Sequence, residues 1–202
     1  MMPPGHVAVT WGLAALNQQN KTRLADLDYR LMALSAMGAD LIDKPLALFV
    51  FTSASTSQLI AHSLLVNLAL LLVGLLLWRK ALPYLLAFSG HIILDRMWNH
   101  PETFWWPLFG WQTFWEFKPM NTPATMFNVY LDIIIRYPQV WVIEVFALLY
   151  LIWFAYRRHL YCRDILKRFI LSGRLTPLDS DMGTLVRSKS PLIETNGNSE
   201  LV

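Results

Sequence analysis

LIAHSLLVNLALLLVGLLLW, residues 59–78, holds one ionisable side chain, His62, in twenty positions. As a helix it would be roughly 30 Å long, the thickness of a bilayer's hydrocarbon core. Arg79-Lys80 follows at once, as basic residues do where a spanning segment reaches the cytoplasm. A second run, Val140–Tyr156, closes on aromatic residues before Arg157-Arg158, the usual interfacial anchors. Of the 202 residues, 55% are hydrophobic and 15% charged, with a mean hydropathy of +0.38. A soluble domain carries about 25% charged residues. The chain therefore reads as an all-α, polytopic integral membrane helical bundle.

Outward from these runs, Gly5–Leu16 reads as a short apolar helix and Asn17–Arg30 as a polar connection. Leu31–Phe51 reads as a second helix that Pro45 should kink. Ser57 is placed to cap the helix over 59–78. Leu82–Trp98 is the fourth helix. Asn99–Tyr137 carries Trp105, Trp106, Trp111 and Trp115 and several prolines. It reads as an interfacial Trp-rich loop, with Met126–Tyr137 an amphipathic helix lying on the membrane. Arg157–Ile170 is basic and amphipathic, a surface helix on the opposite side. Residues 1–170 form one membrane-embedded domain in this reading, and 171–202 a polar, disordered cytoplasmic tail.

The net charge of +3 resides at segment ends, as topology requires, so no nucleic-acid partner is expected. A single cysteine, Cys162, excludes an internal disulfide and a Cys-rich metal site. With Lys21/Arg23/Arg30, Arg79/Lys80 and Arg157/Arg158 on the cytoplasmic side, the ionisable residues inside apolar segments fall into one layer. His6 lies eleven residues before Asn17, and Asp40 and Asp43 ten and thirteen after Arg30. His62 lies seventeen before Arg79, and His91 and Asp95 eleven and fifteen after Lys80. At about 1.5 Å per residue all sit roughly 15–25 Å from the cytoplasmic ends, in the outer half of the membrane. His159 belongs to the opposite side. Taken singly, His91/Asp95 reads as a local ion pair, Asp40/Asp43 as a wet helix end partnered by Lys44, and His62 as an interhelical hydrogen-bonder. Four helices delivering ligands to one depth favour a metal site instead. Imidazole and carboxylate suit zinc, with manganese or magnesium as alternatives. Lys44 and Arg96 flank the acidic residues, either neutralising them or holding an anionic group such as a phosphate oxygen.

Gly5-His6, then Asp40-Leu-Ile-Asp-Lys-Pro-Leu46, Ala61-His-Ser-Leu-Leu65, Gly90-His91-x-x-x-Asp95 and Trp106-Pro107 resemble the membrane-bound metal-dependent hydrolase family. Its bacterial members are described as LexA-regulated inner-membrane hydrolases, distantly similar to zinc-dependent phospholipase C and single-strand nucleases. The resemblance covers about residues 1–110. It implies a divalent metal, a phosphoester substrate and His and Asp ligands. Many members carry His-Arg-Gly-x-Thr ahead of the third-helix His-Ser, where this chain has Ser57-Gln-Leu-Ile-Ala61. Many also have His where this chain has Lys44.

The expected function is accordingly metal-dependent hydrolysis of a phosphoester at the outer side of the membrane, a lipid headgroup fitting that position. His6, Asp43, His62, His91 and Asp95 are the expected metal ligands. Asp40 and Asp43 are the expected catalytic carboxylates, and Lys44 and Arg96 the substrate contacts. Membrane lipids are the expected partners. The rivals are a metal or proton relay or transporter built on the same cluster, and a membrane protein whose polar residues only hold helices together.

Overall fold

Proline opens the helices of this chain. Its ring presets the backbone angle of a first turn, and its missing N–H is one that a helix start leaves unpaired. In the computed structural model, which describes residues 2–19, 27–51, 56–110 and 123–175, α1 (Pro3–Gln19), α6 (Pro101–Phe104), α7 (Pro123–Arg136) and α8 (Pro138–Arg157) all begin on proline, and α5 (Leu82–Leu94) has Pro83 in its first turn. The others are α2 (Tyr29–Ala36), α3 (Gly38–Pro45), α4 (Leu64–Leu77) and α9 (Arg163–Ser172). There is no strand among the described residues, so the fold is all-α.

Two long apolar runs are broken where the sequence predicts continuity. The run 59–78 is a helix only from Leu64. Residues 60–62 form a tight single turn and Ser63 is extended, its hydroxyl accepting from Val66 N at 3.4 Å. Ser63, not Ser57, is the cap. Asp43 lies across this end: its carboxylate accepts from the N–H groups of Leu59, Ala61 and His62 and holds the single turn in place ahead of α4. The second break divides Leu31–Phe51. It falls at Met37-Gly38, where Gly38 lies against Phe88 so closely that a β-carbon would stand 2.6 Å from the ring. Pro45 ends α3, and the next turn widens, with Phe51 N donating to Leu46 O at 2.7 Å. Proline gives no N–H to the carbonyl four residues back, and the ladder after it shifts to the wider spacing. One helix among the described residues, Pro138–Arg157, is long and apolar enough to cross a membrane; Leu64–Leu77 is apolar but shorter.

α1 packs on α2 and α8, and α5 on α2 and α4. Trp11 of α1 stands among Tyr29, Phe154 and Phe169 at centroid distances of 5.4–5.9 Å, and its indole N–H donates to Tyr29 O at 2.9 Å. Around it Ala14, Leu27, Met32, Ala87 and Leu175 complete the main core. A second small core holds Trp106, Ala47 and Leu59. Trp106 is therefore a core residue and not part of an interfacial belt, whereas Trp105 is exposed. Trp111, Trp115 and the tail beyond residue 175 lie outside the described residues. The outer faces of α4 and α8 are rows of exposed Leu, Ile, Phe and Trp, an apolar extent that a water-facing monomer rarely shows.

α9 is tied to the start of α2. Tyr29 N donates to Gly173 O at 2.8 Å and the Arg30 guanidinium to Ile170 O at 2.5 Å. Gly173 has φ +67 and faces the Asp28 carboxylate, so a side chain there would be strained and would collide. Asp28 caps α2 through Arg30 N and Leu31 N and pairs with the Arg30 side chain at 2.7 Å. That guanidinium, with the two capping amides, holds the Asp28 carboxyl below its usual range. A carboxylate with a depressed folded-state pKa adds stability above its unfolded value, about pH 4, and loses it as pH falls through the folded value. Thermal unfolding midpoints measured in detergent from pH 6 to pH 3 should therefore fall more steeply in the wild type than in Asp28→Asn, which keeps a cap acceptor but cannot titrate.

Candidate metal centre

Each polar side chain of the buried cluster is delivered by a different turn of backbone. α3 carries Asp40 and Asp43 on one side, three residues apart. The single turn over residues 60–62 carries His62. α5 carries His91 near its C-terminus, and Asp95 caps that end. α1 brings His6 in its first turn. His6, Asp43, His62 and His91 are all at most 1% exposed.

Asp40, His62, His91 and Asp95 each offer one ligand atom, and the four atoms lie within 4.8 Å of one another. Asp40 Oδ1 is 3.6 Å from His62 Nε2 and 3.8 Å from His91 Nε2, and Asp95 Oδ2 is 3.3 Å from His91 Nε2. A tetrahedral cation with bonds of about 2.0–2.2 Å spaces its ligand atoms roughly 3.3–3.6 Å apart. The imidazoles are turned correctly for it. His91 Nδ1 lies 2.7 Å from Ala36 O, an atom that only accepts, so Nδ1 carries a proton and the neutral ring has its lone pair on Nε2. His62 Nδ1 lies 2.7 Å from Asp43 Oδ2, which imposes the same tautomer. Both Nε2 atoms are buried without a hydrogen-bond partner. Such an orphaned acceptor costs about 1–3 kcal/mol unless something completes it. Two lone pairs and two carboxylates converging on one point fit a divalent cation.

Asp43 is near the centre but engaged elsewhere. Its two oxygens take three backbone N–H groups at 2.7–3.2 Å besides the His62 ring, about the full acceptor capacity of an ionised carboxylate. His6 reaches the cluster through Asp95, its Nε2 3.1 Å from Oδ1, and stacks on His91 at 4.0 Å. Lys44 Nζ holds the second oxygen of Asp40 at 2.6 Å. Arg96 is exposed just past Asp95, with φ +52.

Two participants escaped the sequence reading. Asn67, one turn into α4, donates from Nδ2 to Ala61 O at 2.9 Å and Ser63 O at 2.8 Å, locking the His62 turn onto α4. Glu144 of α8, 6% exposed, accepts from Met2 N at 2.7 Å and Gly5 N at 2.8 Å. It supplies the anion that the amide-rich start of α1 favours and so fixes His6. An acidic residue amid an apolar run is itself the signal. Glu144→Ala should lower stability by about 2–3 kcal/mol, two charge-assisted hydrogen bonds being lost, and Glu144→Gln by roughly half of that; chemical unfolding in detergent reads both.

Residues 1–161, from the α1 start through the cluster to the end of α8, match the family described as YdjM inner membrane protein. The chain belongs to the YdjM inner membrane protein family. An inner-membrane family agrees with the rows of exposed apolar side chains on α4 and α8. No curated protein and no solved structure matches the chain.

Proposed function

We propose that this YdjM-family protein is a membrane-bound, metal-dependent hydrolase acting on a phosphoester, with a lipid headgroup as the substrate class. The observation that carries the reading is the pair of buried, unpartnered Nε2 atoms of His62 and His91 facing Asp40 and Asp95. Those four residues would hold the ion, and two imidazoles with two carboxylates favour zinc over magnesium. A divalent ion bound there supplies an acidified water and neutralises charge developing on the ester oxygens. Asp43 and Ala36 O keep the two rings in the ligating tautomer. Asp40, with one oxygen toward the cluster and the other held by Lys44, is suited to stay ionised as a ligand. Arg96, exposed beside Asp95, is suited to meet an anionic headgroup.

The orientation follows the charges. The Asp28–Tyr84 hydrogen bond joins the start of α2 to the start of α5 at 3.0 Å, about 16 Å along α5 from Asp95. Arg30 and α9 share that end. Excess Lys and Arg mark the cytoplasmic side, which gives a multi-pass chain with a cytoplasmic C-terminus and the cluster toward the outer side. A proton relay would use the same contiguous groups, and proton flux into liposomes lost in Asp40→Asn would favour it.

The test is turnover of bis(p-nitrophenyl) phosphate and of short-chain phosphatidylglycerol by detergent-purified protein supplied with zinc, manganese or magnesium. Turnover reduced about a hundredfold or more in Asp40→Asn is expected. No turnover with any of the three ions, or an unchanged rate in the variant, would sink the hydrolase reading.

A further inference from the structure

α1 and α8 run parallel. Glu144 meets Gly5, and seven residues further on Gly12 meets Tyr150, whose hydroxyl stands 3.1 Å from where a Gly12 β-carbon would be. Small residues on α1, namely Gly5, Ala8, Gly12 and Ala15, leave a furrow beside this seam, walled by large apolar side chains of α8. The furrow encloses about 630 Å³, within the roughly 300–1,000 Å³ of small-molecule sites. From Ile143 to Arg158 it follows α8 for about 22 Å. That exceeds the depth of one leaflet's hydrocarbon, about 15 Å.

The two ends differ. Along its length the lining is apolar, but at one end it reaches Arg157 and Arg158. Arg157 is exposed, and no described residue pairs with its guanidinium. Arg158 is 6% exposed and lies over the Phe154 ring at 5.5 Å. A long apolar slot that ends at the exposed Arg157 guanidinium, at the height where a spanning helix ends, matches the shape and charge of one lipid: an acyl chain along the slot and an anionic phosphate at Arg157. A second copy of the chain fits less well. Two copies side by side in the same orientation would bring four arginines to one level.

We infer that the α1–α8 furrow is a binding site for an anionic phospholipid of the leaflet at the arginine end, separate from the Asp/His cluster. The inference does not depend on hydrolysis. The experiment uses full-length protein equilibrated in vesicles of equal phosphatidylglycerol and phosphatidylcholine, extracted gently, and examined by native mass spectrometry. The wild type is expected to retain one phosphatidylglycerol in preference to phosphatidylcholine. Arg157→Gln should lower that retention about fivefold, the contribution of one basic residue at a membrane surface. Leu13→Trp, at a furrow position 60% exposed and free to take a larger side chain, should remove the bound lipid while elution volume and helical circular dichroism stay unchanged. Equal retention of the two lipids, insensitivity to both substitutions, or a lipid-free dimer in the wild type would each overturn the inference.

Discussion

His91→Ala protein, purified from membranes in mild detergent, is expected to bind zinc or manganese at least about a hundredfold more weakly than the wild type. Losing an outer partner of a ligand already costs 10–100-fold, and His91 would be a ligand itself, with Nε2 in the cluster and Nδ1 fixed by Ala36 O. Chelator competition followed by mass-spectrometric metal counting reads the loss. Membrane insertion should be unaffected, because α4 and α8 keep their apolar faces. Equal affinity in the two proteins would mean that the four side chains converge for another reason.

Asp43→Ala should be the most destabilising single change in the cluster, and for a reason separate from metal. Its carboxylate answers four donors: three backbone amides and the His62 ring. With the side chain removed, those buried donors have no acceptor, and breaking a charged buried network costs about 3–5 kcal/mol. For a chain of this size that is a drop in thermal midpoint of roughly 10 °C. The loss should persist in chelator-treated protein, whereas Asp40→Asn should cost the stabilisation that added metal confers and its ion pair with Lys44. A midpoint for Asp43→Ala within about 2 °C of the wild type would refute the orienting role.

Much of this arrangement can be read in the amino-acid order because ligand position along a helix is simple arithmetic. Counting 1.5 Å per residue from the basic ends put His6, Asp40, His62, His91 and Asp95 at one depth. Counting could not see that residues 59–62 stand apart from α4 as a separate turn held by Asp43, since nothing local to LIAH forbids a helix and the carboxylate lies sixteen residues earlier. Trp106 was legible only as aromatic, and its burial depends on Ala47 and Leu59 meeting it from other segments. Glu144 was visible as a carboxylate in an apolar run, but its partners are the amides at the other end of the chain. Side-chain type predicts chemistry, while the assignment of partners across 139 residues is a property of the packed fold.

That last separation has a consequence in time. A ribosome adding about 5–20 residues per second needs roughly seven to thirty seconds to go from Gly5 to Glu144. Throughout that interval the first-turn amides of α1 are without their final acceptor. Asp40, Asp43, His62, His91 and Asp95 are all made within the first hundred residues and can gather long before α8 exists. The carboxylate that anchors the start of α1 is therefore made last, after every residue of the centre.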